Sequence, residues 1–66
     1  MLEHQTQRER VRGGILTIQQ TKWRVSLTFI KDENLCNGYG VSRELVRSEY
    51  SESKKQEFLE HSFGML

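Results

Sequence analysis

The chain has 66 residues, 35% of them apolar and 29% charged, with a formal net charge of +1. That length excludes two domains and leaves a thin core, since a chain this small buries only ~60% of the surface it exposes when unfolded. A single cysteine, Cys36, excludes an internal disulfide, and Cys36, His4 and His61 together fall short of the four ligands of a structural zinc site. Neither a metal nor a cofactor is therefore expected to supplement the core, and self-association or a larger protein partner is left in that role. No run of 18 apolar residues is present, and MLEHQTQRER lacks the apolar middle of a secretion signal, so no membrane contact and a cytoplasmic location are expected. The charge is uneven: residues 1–31 carry six bases against two acids, +4, and residues 32–66 four bases against seven acids, −3. Attraction between the halves, within the fold or across a dimer, is the simplest use of that asymmetry.

Residues 1–9 have only Met1 and Leu2 as apolar members and show no periodicity, which predicts a flexible N-terminal arm, with residues 10–66 as the single domain. Gly13-Gly14 breaks any helix begun over Arg8–Arg12, and Ile15-Leu16-Thr17-Ile18 follows with strong strand preference. Next, Trp23, Val25, Leu27 and Phe29 fall at every second residue, with Arg24, Ser26 and Thr28 between them. This is the period of a strand with one buried and one wet face, and it puts Trp23 in the core. Gln19-Gln20-Thr21-Lys22 joins the two strands without a glycine pair, which suggests a loop of about four residues. Asp32-Glu33-Asn34 ends the second strand, and Asn37-Gly38 marks a turn.

From Ser42 onward the composition shifts to helix formers, with Ser42 as a cap and Gly64 as a stop. One straight helix over 42–63 does not fit its own pattern, however. Leu45, Val46 and Tyr50 form one stripe, and Phe58, Leu59 and Phe63 form a second thirteen residues on, rotated by ~140° at 100° per residue. A helix broken near 51–53 answers this, restarting at the capping-box pattern Ser53-Lys54-Lys55-Gln56. The competing reading makes Tyr39–Glu49 a third strand and confines the helix to 52–63; its alternation is poor, and composition favours the helix. The fold class expected is α+β: a small β-hairpin, or a three-stranded antiparallel meander, followed by a C-terminal helix or a broken helix pair.

Catalytic patterns find little support. Cys36 stands by a turn and His4 in the expected arm, so a cysteine–histidine pair has no evident geometry. Asp32-Glu33-Asn34 fails as a calcium loop, with Cys36 and Asn37 where an acid or amide and a glycine belong, and the glycines match neither nucleotide-binding pattern. No small-molecule substrate is expected. Two surfaces remain. Phe58, Leu59 and Phe63, with Met65 and Leu66, crowd the last nine residues and are read as a protein-binding tail. Arg8, Arg10, Arg12, Lys22 and Arg24 could instead line a hairpin face that holds single-stranded nucleic acid, with Trp23 or Tyr39 to stack; a sequence pI of 7.9 is low for such a binder. The function expected from sequence is a small non-enzymatic regulatory or adaptor protein acting by protein–protein contact as a homodimer or on a larger protein. A nucleic-acid-binding accessory protein is the alternative.

Overall fold

The alternation of Val25, Leu27 and Phe29 with Ser26 and Thr28 organises the molecule. The first three side chains are fully buried, and the other two lie on the opposite face of the same strand. The structure, a computed structural model, describes residues 5–65. Strands β1 (Gln5–Val11), β2 (Gly14–Gln20), β3 (Arg24–Lys31) and β4 (Val41–Val46) form an antiparallel meander in the order β1-β2-β3-β4, and helix α1 (Glu52–Met65) closes one face. The α+β class is as expected, with one more strand than the meander read from the sequence and a single helix.

The arm expected over residues 1–9 lies outside the described residues up to position 4; from Gln5 onward the chain is β1, an edge strand paired with β2 from Gln5↔Gln20 to Val11↔Gly14. Gln-Thr-Gln-Arg-Glu-Arg has no apolar face, so nothing in its pattern announces a strand. Its backbone is held by pairing, and Val11 packs on the core. Arg12-Gly13 makes the turn, with Gly13 at φ +89°, a conformation that favours glycine. At Gly14 any side chain would run into the Ile30 carbonyl and the Phe29 ring, so the chain passes there only as glycine.

The helix expected from Ser42 is replaced over its first part by strand β4, which pairs with β3 from Arg24↔Val46 to Phe29↔Val41. Tertiary pairing overrides the local helix preference, because β3 without β4 would leave a row of unmet backbone groups beside a thin core. Adjacent Leu45 and Val46 then face opposite ways, Leu45 buried beneath α1 and Val46 half-exposed on the other side. Ser42, expected as a helix cap, instead meets Thr28 across the strands at 3.2 Å between hydroxyl oxygens. A short 3-10 turn, Arg47–Glu49, leads to α1. The helix starts earlier than the Ser53 box: the Ser51 hydroxyl accepts from the Lys54 N–H at 3.3 Å, and the Ser51 carbonyl takes the Lys55 N–H at 3.0 Å.

Leu16, Ile18, Val25, Leu27, Phe29 and Leu45 from the sheet pack with Phe58 and Leu59 from α1 into one core. Phe63 sets its ring edge-on to Phe29, 5.2 Å between centroids and 86° between planes. Ser62, fully buried, donates its hydroxyl to the Phe58 carbonyl at 2.7 Å and lets the last turns of the helix sit close to the sheet. The two stripes that could not share one helix face are thus resolved: one belongs to β4 and the segment after it, the other to α1.

Candidate interaction surface

Each residue set singled out from the sequence has a definite place. Phe58 and Leu59 are in the core, and Phe63 is half-buried against Phe29, so the expected tail surface is not a free one. The correction follows from β4: with Leu45 in the sheet, the helix face of Phe58 and Leu59 is what covers it.

The basic residues are not brought into one patch. Arg8 and Arg10 stand on the face of the sheet away from α1, opposite Thr17 and Ile15. Arg12, by contrast, lines a hollow of about 490 Å³ on the helix side, beside Leu59 and Phe63. Arg10 pairs with Asp32 at 2.8 Å and Arg24 with Glu44 at 3.5 Å, so the basic first half meets the acidic second half within the fold. Both pairs are exposed, and each contributes at most about 1 kcal/mol. The remaining open face is a polar lattice: the row Arg8, Thr17, Thr28, Ser42 runs across all four strands, as a solvated face of an antiparallel sheet does.

Trp23 departs furthest from expectation. Its parity with Val25 predicts burial, yet it is 71% exposed. The sheet ends beneath it: Gln20↔Val25 is the last β2–β3 pair, and beyond it the Thr21 N–H donates to the Arg24 carbonyl at 2.8 Å while the Thr21 hydroxyl accepts the Arg24 N–H at 3.0 Å. Lys22 and Trp23 therefore form the tip of the β2–β3 turn. The Arg47 N–H donates to the Trp23 carbonyl at 2.8 Å, which carries the β3–β4 contact past Val46 and brings the start of the 3-10 turn alongside.

These two neighbours complete a hollow of about 480 Å³ lined by Lys22, Trp23, Val46, Arg47 and Ser48. Val46 is 50% exposed. The Lys22 ammonium lies over the Trp23 ring, 5.3 Å from its centroid, and Arg47 Nη1 donates to the Thr21 carbonyl at 3.2 Å. Arg47 was not singled out in the sequence, and Val46 only as part of an apolar helix stripe; a tryptophan within a loop-length gap between two strands is the signal that points to this corner.

Cys36 is exposed in the β3–β4 loop, and His61 lies on α1 in a groove of about 470 Å³ with Val41, Arg43 and Phe58; His4 is outside the described residues. Among the described residues no three His, Cys, Asp or Glu side chains are grouped as a metal would need, and no helix is long and apolar enough to cross a membrane.

The described residues thus form a four-stranded meander with one covering helix and an exposed aromatic–basic turn at Lys22-Trp23. The chain matches no protein-family model, no curated protein and no solved structure.

Proposed function

We propose that this protein is a small non-enzymatic regulatory or adaptor module of the cytoplasm that works by protein–protein contact, and that the contact is made at the Trp23 corner. The observation that carries the reading is the exposure of Trp23 at the rim of an apolar hollow. Turn tips favour Gly, Asn and Asp, and the core does not use this side chain, so neither local structure nor packing accounts for a tryptophan there. Residues that satisfy neither demand concentrate at binding surfaces, and tryptophan and arginine lead the residues that dominate interface energies. Of the tail that argued for self-association, Phe58 and Leu59 lie inside the fold, Phe63 is half-buried, Met65 is exposed and Leu66 is outside the described residues, so the reading rests on a different surface from the one composition suggested.

The test is capture from nuclease-treated lysate by the wild type and by Trp23→Ala. The expected result is a set of proteins retained by the wild type and lost with Trp23→Ala, whose urea unfolding midpoint is unchanged. Identical capture by the two would overturn the reading.

A further inference from the structure

The rim of the Trp23 hollow is more informative than its floor. Among the described residues, Arg10, Arg24, Arg43, Lys54 and Lys55 each have a carboxylate within 4 Å, whereas Lys22 and Arg47 have none, and neither do Arg8 and Arg12, which stand apart from each other and from the hollow. Two unneutralised cations thus stand on one apolar hollow, and Glu49, the acid nearest in sequence to Arg47, does not line it. Arg47 is held in place by its bond to the Thr21 carbonyl, which uses one of its five N–H donors and leaves a fork for a carboxylate. Lys22 is held over the Trp23 ring.

On the reading of this corner as a contact surface, we infer that its occupant is an acidic segment of the partner protein, in which an apolar side chain enters between Trp23 and Val46 and flanking carboxylates meet Lys22 and Arg47. Charge complementarity selects this occupant over the others. A nucleic acid needs a track of cations along its phosphates, and the remaining bases are elsewhere: Arg10 and Arg24 are already paired, Arg8 lies on β1, and Arg12 is on the helix side. A second copy could offer its own acidic turn, Asp32-Glu33-Asn34 followed by exposed Leu35. Asp32 of that turn is already paired with Arg10, and the turn lies at the far end of β3 from Trp23, so a second copy would have to lie antiparallel or head-to-tail to bring the remaining acid to the hollow.

Trp23 is the only tryptophan in the chain, so its emission reports occupancy of the hollow directly. The full chain is titrated with a short capped peptide carrying one leucine flanked by glutamates, with the same peptide bearing glutamines, with one bearing serine for leucine, and with a single-stranded deoxythymidine oligomer. The glutamate–leucine peptide is expected to shift the emission saturably and to bind about tenfold tighter than either altered peptide, with that advantage shrinking at high salt and in Arg47→Gln. Equal binding of the glutamine peptide, tighter binding of the oligomer, or an emission change on diluting the protein alone would each overturn the inference. Silence from every arm would overturn it too, while capture that still depends on Trp23 would leave the broader contact reading standing.

Discussion

Lys55 Nζ lies 3.0 Å from both carboxylate oxygens of Glu9, joining the first turn of the helix to the edge strand 46 residues earlier. Lys55 is 12% exposed and Glu9 28%, so this pair is better shielded than any other ion pair described. Glu52 stands 3.7 Å from the same ammonium. β1 contributes little apolar area beyond Val11, so this clamp adds a polar tie between α1 and that side of the sheet.

Removing one partner is expected to cost more when it strands the other. Glu9→Ala leaves a part-buried ammonium with only the more distant Glu52, and a loss of about 1 kcal/mol follows from its lost charged hydrogen bond, the rest being offset by water. Lys55→Met keeps the packed stem and removes the charge, so its cost is expected to be smaller. Urea unfolding of both variants measures this; an equal or larger loss in Lys55→Met would show that the pair itself, not the stranded charge, sets the energy.

The hydrogen bond to Glu9 holds the Lys55 ammonium above the ordinary lysine value, with burial opposing it; at Tyr50, where the charged form is the deprotonated one, burial instead raises the hydroxyl above its ordinary value. Both groups keep their protons more tightly folded than unfolded. Their stabilisation is therefore complete below the unfolded values, about 10 for tyrosine and 10.5 for lysine, and is lost as pH climbs through the raised folded ones. Unfolding midpoints measured from pH 8 to 12 are expected to fall above pH 10 in the wild type and less steeply in Lys55→Met. Parallel curves would remove Lys55 from the effect.

Phe58 and Trp23 separate stability from contact. Phe58→Ala is expected to cost about 3–5 kcal/mol, close to the whole stability of so small a domain, and to unfold much of the protein at room temperature. Trp23→Ala is expected to stay within about 0.5 kcal/mol of the wild type. Circular dichroism with urea titration compares them, and a folded Phe58→Ala would contradict the burial of that ring.

Ser62 is a spacer beneath the helix. Ser62→Ala removes a hydroxyl whose only assigned partner is the Phe58 carbonyl in the same helix, and is expected to cost less than about 1 kcal/mol. Ser62→Leu must push α1 from the sheet and is expected to cost about 1–3 kcal/mol or more. Thermal melting distinguishes them; a tolerated leucine would mean the helix sits looser than the geometry shows.

What the sequence by itself determined is the part written as a hydrophobic period. Val25, Leu27 and Phe29 alternate with polar residues, and a buried face selects that alternation wherever a strand is covered on one side. Ile15-Leu16-Thr17-Ile18 was legible as a strand from its residue types, but that Leu16 and Ile18 face the core was decided by its register with β3. Tertiary structure decided the rest, because the missing information was not local. The edge strand β1 buries almost nothing, so its polar residues carry no period. β4 has helix-forming composition and became a strand through pairing with β3. The parity of Trp23 is correct along the chain, but parity cannot tell where a sheet stops, and the sheet stops at the Gln20↔Val25 pair. The same limit displaced the binding surface. Phe58 and Leu59 look unpartnered until β4 takes its place beside β3; with that helix face covered, Trp23 at the turn and Tyr39 in the β3–β4 loop are the exposed aromatics among the described residues.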